Sequence, residues 1–152
     1  MSIERLKYEH LRSELERHLK RLKEAFEFIE TLVSFPLSQE DVKFLLSRQD
    51  GTMALDQVAY RFSKFQDSLG KFLRVYLSLK GENVDNLPML DVVLLLEKFG
   101  FDVSPEKWFE LRNLRNAIAH EYEDNYERIA ALVNKIYREL PYLESLFNRL
   151  SL

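Results

Sequence analysis

The sequence predicts an all-α, up-and-down helical bundle with short inserted helices, and three observations lead there. The 152 residues include only 4 Gly and 4 Pro, too few for a turn-rich β architecture. Leu, Glu, Lys and Arg dominate, and these are among the residues a helix accommodates at least cost. Apolar residues recur at three- and four-residue steps, and no alternating strand pattern persists. A chain of this length is expected to form one domain over residues 1–152 and to bury roughly two-thirds of its unfolded surface.

The elements follow in order. Residues 3–34 read as one long helix, because Leu11, Leu15, Leu19 (or His18), Leu22, Phe26 (or Ala25), Ile29 and Val33 share a face. Phe35-Pro36 stops it. Ser38, with Asp41 three residues on, opens a short helix that is expected to end near Gly51. Residues 52–80 form the second long helix. Its seam of Val58, Phe62, Phe65, Leu69, Phe72 and Tyr76 keeps a heptad, which suits either a bundle core or a dimer contact. Gly81 is a natural stop. Pro88 opens a helix to Phe99, and Ser104-Pro105 opens another with an N-cap, an N1 proline and Glu106 in the first turn. Asp124 and Asn125 predict a break after Tyr122. A last helix runs from about Tyr126 to Leu150, and Pro141 is expected to kink or split it.

Composition removes several function classes. There is no Cys, so disulfides, thiolate metal sites and a cysteine nucleophile are excluded, and a reducing cytoplasm fits best. Residues 1–23 alternate charge with Leu and do not read as a signal peptide. The longest apolar run, Val92 to Leu96, falls far short of the ~20 residues of a membrane span. The net charge of −3 argues against a surface coated in Lys and Arg, yet it allows a local basic groove. His10 and His18 lie on the first helix with no third ligand nearby and read as ordinary helix residues. Leu69-Gly70-Lys71 lacks the earlier glycine and the leading strand of a phosphate loop. Trp108 reads as a packing residue, and Asp56 and Asp67 as caps or ion-pair partners.

Polar chemistry concentrates in Arg115-Asn116-Ala117-Ile118-Ala119-His120-Glu121-Tyr122. On a helix through Tyr122, Leu111, Leu114 and Ile118 face the core. Arg115, Ala119 and Tyr122 form one stripe, and Arg112, Asn116 and His120 form the next. Each side chain has a use on a phosphodiester. Arg offers planar paired donors to phosphate, and His moves protons near neutral pH. Asn orients a neighbour, while Tyr stacks on a base or carries a modification. Geometry alone equally allows a purely structural network, with Arg112 and Arg115 paired to Glu110 or to carboxylates on the next helix.

The eight-residue stretch resembles the Arg-x4-His-x-Tyr signature of HEPN-domain toxins, in particular the HepT group encoded beside a minimal nucleotidyltransferase (MNT) antitoxin. The segment from Tyr60 to Lys71 is similar to that group's second long helix. The resemblance spans most of the chain. It implies a four- to five-helix HEPN-type bundle that forms a homodimer, with two motifs facing one cleft. In catalytic members that cleft is a metal-independent ribonuclease. Arg115 would then hold the scissile phosphate, and His120 would be acid or base. Asn116 and Arg112 would support them, and the RNA 2′-hydroxyl would be the nucleophile. Tyr122 matches the tyrosine that an MNT partner adenylylates from ATP, and the toxin itself needs no cofactor or metal. Some relatives are instead non-catalytic subunits that complete a nucleotide site for the nucleotidyltransferase. A plain helical interaction protein is the third reading.

Overall fold

The computed structural model describes residues 2–121 and 124–152. Six helices account for most of them: α1 (Ile3–Glu30), α2 (Gln39–Leu46), α3 (Gln49–Leu79), α4 (Met89–Lys98), α5 (Pro105–Ala119) and α6 (Tyr126–Arg149). No strand occurs among the described residues. The all-α expectation is met, and none of these helices is long and apolar enough to cross a membrane.

Side-chain links set the directions of the four longer helices. Glu4 accepts from the Ser78 hydroxyl, and Tyr8 stacks on Phe72 at 5.1 Å. Nearer the middle of α3, Arg61 Nη1 lies 3.0 Å from His18 Nδ1. Early residues of α1 thus meet late residues of α3, so the two helices are antiparallel. Trp108 of α5 lies 3.6 Å from the position a Cβ on Gly70 would take, and Ile118 shares a small cleft with Leu55 and Ala59. The ion pairs Lys107–Glu139, Glu110–Lys135 and Glu121–Arg128 run α5 against α6. Lys23–Glu144 and the Tyr8 hydroxyl on the Leu150 carbonyl close α6 back onto α1. The result is an up-and-down ring of four helices, with α2 and α4 inserted in two connections.

The core is one apolar cluster fed by all six helices. Val58, Phe62, Phe65, Leu69, Phe72 and Tyr76 are all buried, so the heptad seam of α3 is the centre of this bundle. Leu15, Leu19, Leu22, Phe26 and Ile29 meet it from α1. Caps explain the sharp starts. Ser38 and Asp41 form a reciprocal capping box at α2, and Ser104 Oγ accepts from the Lys107 amide at α5. Gly81 adopts a φ of +94° after α3, the left-handed turn that a residue without a Cβ enters freely.

Four boundaries differ from expectation. Helix α1 ends at Glu30 rather than Ser34, where the Thr31 hydroxyl folds back onto the Phe28 carbonyl. Helix α2 ends at Leu46, and Gly51 lies inside the first turn of α3 instead of ending α2. A Cβ there would stand 2.2 Å from the Leu45 carbonyl oxygen, so the glycine serves close helix approach and not termination. Helix α5 stops at Ala119, before the expected end at Tyr122. Pro141 does not split α6: it sits on the exposed side, and buried Ile136, Leu143 and Leu146 anchor both halves in the same core.

Candidate functional site

Helix α5 carries the site, and its start is firmly held. Beyond the Ser104 cap, Lys107 pairs with Glu139 and lies 4.6 Å from the centre of the Tyr142 ring. The Tyr142 hydroxyl donates to the Asp102 carbonyl at 2.7 Å. Burial, then Asp102 and Glu139, push that phenol well above its ordinary pKa, so it stays a donor. Buried Trp108, Leu111, Leu114 and Ile118 fix the rotation of the helix, as their spacing predicts.

That rotation decides where the motif points. Arg115 leans on α3 and is half-buried: its Nη2 donates to Asp67 Oδ2 at 3.1 Å, while its buried Nε has no partner among the described residues. Gln66, next to Asp67 in sequence, is buried with both amide atoms likewise unpartnered among the described residues. Arg112, Asn116, Ala119 and His120 are exposed. His120 is the C-cap of α5, with φ −111° and ψ 5°, and its amide donates to the Ala117 carbonyl at 3.3 Å. The stripe geometry expected through Tyr122 therefore holds only to Ala119. Tyr122 lies outside the described residues.

The structure thus brings Arg115 to α3 and leaves Asn116 and His120 free at the helix end. His120 lies five positions after Arg115, about 7.5 Å along the axis, at the cap just past the last helical residue. Asp67, by sequence a cap or an ion-pair partner, is the direct partner of Arg115. Sequence spacing carries no signal for that cross-helix contact. Arg112 does not pair with Glu110, whose partner is Lys135.

The remaining polar residues sort clearly. His10 lies 2.9 Å from Glu14 on the surface. His18 is buried, and burial first, then the Arg61 guanidinium, lower its pKa. An arginine can only donate, so His18 Nδ1 accepts and the ring is neutral. Arg74 is spent on the Val84 and Leu87 carbonyls at 2.9 and 2.7 Å and does not reach the motif face. A groove of about 580 Å³ lined by Glu106, Phe109, Asn113, Ala117 and Lys135 runs along the opposite flank of α5. Among the described residues no group of three or more His, Asp or Glu could hold a metal ion.

Comparison with known proteins finds no matching family model, no matching curated protein and no matching solved structure.

Proposed function

We propose that this chain is a metal-independent ribonuclease toxin of the HEPN/MNT type, acting as a homodimer and neutralised by a partner nucleotidyltransferase that adenylylates Tyr122. The observation that carries the reading is the disposition of the motif on a rigid helix. Arg115 is held by Asp67, while Asn116 and His120 stand in solvent at the helix end. A motif that served packing alone would also bury Asn116 and His120, and both are exposed.

The chemistry follows from the side chains. Arg115 neutralises the scissile phosphate with its planar donors. A histidine takes the proton from the 2′-hydroxyl as that oxygen attacks phosphorus, and a protonated group delivers one to the departing 5′-oxygen. The products are a 2′,3′-cyclic phosphate and a 5′-hydroxyl, and no water is consumed. Arg115 leans on α3 while His120 stands exposed at the cap of α5, so two motif ends facing each other supply converging groups better than one copy does. Adenylylation joins the Tyr122 oxygen to the α-phosphorus of ATP and releases pyrophosphate. The negative charge added to the same motif would oppose phosphate entry.

The test is cleavage of RNA by purified protein in EDTA, with end-group analysis. Cyclic phosphate termini that vanish in His120→Ala support the reading, and intact RNA in every condition overturns it. The antitoxin step is read by intact mass after expression with the nucleotidyltransferase: a gain of whole AMP units, absent in Tyr122→Phe.

A further inference from the structure

We propose that Tyr60 is a base-stacking platform that directs this site to single-stranded RNA, an inference that rests on the ribonuclease reading above. Tyr60 is 52% exposed on α3. A lone exposed aromatic is ordinary, but this one has a particular setting. The Arg61 guanidinium carbon and Lys64 Nζ lie over its ring, 5.3 and 5.6 Å from the centre, as cation–π partners.

Position links the ring to the motif. Tyr60, Lys64, Asp67 and Lys71 recur at steps of four, three and four, and all four are exposed, so they form one open stripe of α3. Asp67 in that stripe is the residue that touches Arg115. Tyr60 lies about 10 Å further along the helix axis. Because α3 and α5 are antiparallel, the Tyr60 end of α3 runs beside the His120 end of α5. Neighbouring Ala59 and Ile118 line one cleft there.

Charge agrees with position. The chain carries a net charge of −3. On this face, however, Lys64, Lys71, Arg112 and Arg115 outnumber Asp56, Asp67 and Glu121. Local charge, not the total, attracts a polyanion. Cations that track phosphates together with an aromatic face for a base are what a flexible single strand requires. A duplex keeps its base faces stacked inside and offers the ring nothing. An acidic peptide would engage the cations and leave the ring without a planar partner.

The experiment measures binding by fluorescence anisotropy in the His120→Ala background, where RNA survives. The probes are a labelled single-stranded oligoribonucleotide, the same sequence as a duplex, and polyphosphate as competitor. The single strand should bind more tightly than the duplex. Tyr60→Ala should weaken single-strand binding roughly tenfold, Tyr60→Phe should retain it, and polyphosphate affinity should be unchanged. Tyr60 is exposed, so thermal unfolding of each variant should match the parent. Single-strand affinity unchanged in Tyr60→Ala overturns the platform while RNA cleavage by wild type leaves the ribonuclease reading standing. Failure of wild type to bind or cleave any RNA overturns both.

Discussion

Arg115 reaches from α5 to α3 and donates to Asp67 across 3.1 Å, although neither residue is deeply buried. With about a third of the arginine side chain and half of the aspartate in solvent, the pair adds at most about 1 kcal/mol to stability. Its larger effect is to fix where a long, flexible cation points. Asp67→Asn should therefore leave the urea midpoint almost unchanged while lowering kcat for RNA cleavage roughly tenfold. KM should not rise, because a competing negative charge has been removed. An unchanged kcat would reduce Asp67 to an ordinary surface partner.

Arg115→Ala and His120→Ala should each abolish cleavage and toxicity while the helical circular dichroism stays at the parental value. His120 is exposed at a helix end and Arg115 only half-buried, so each should cost about 1 kcal/mol or less on unfolding. Unfolding of either variant would mark the motif as a structural network instead.

His18 predicts a specific pH dependence. Its pKa is lowered in the folded chain, so the unfolded chain takes up a proton first as the pH falls. The stabilising contribution is complete above the ordinary histidine value of about 6.5 and is lost progressively below it. Urea midpoints measured from pH 7.5 to pH 5 should fall in the parent. They should fall less in His18→Gln, which retains an acceptor for Arg61 and does not titrate.

Gly51→Ala should destabilise the chain by about 1–3 kcal/mol despite the better helix propensity of alanine. The new methyl would meet the Leu45 backbone at 2.2 Å, and backbone cannot swing aside as a side chain can. Equilibrium denaturation reads the difference, and a gain in stability would show that α2 shifts at little cost.

Much of the architecture is legible in the sequence because it is local. The buried seams of α1 and α3 follow from residue spacing, and Ser38 and Ser104 mark helix starts by chemistry that spans three residues. The errors arise where tertiary contact overrides a local rule. Gly51 resembles a helix stop because its real constraint, the Leu45 carbonyl, belongs to the preceding helix. Pro141 resembles a breaker because the packing that anchors both halves of α6 is not local. At the site, Arg115, Asn116 and His120 stand out by type and spacing. The early end of α5 has neither glycine nor proline to announce it, and the partnership with Asp67 joins residues 48 positions apart.

Gly70 has no side chain to do chemistry, yet it governs how close α3 and α5 can lie. The Trp108 ring sits 3.6 Å from where its Cβ would be, an ordinary contact for one methyl, and a side chain extending toward the indole would have to displace it. Asp67 is only three residues away, so the same separation fixes how far Arg115 must stretch. A bulky residue at position 70 would act as a wedge, spreading the helices and pulling carboxylate from guanidinium without touching either. The reach of Arg115 is thus gauged by an indole resting on bare backbone one turn away.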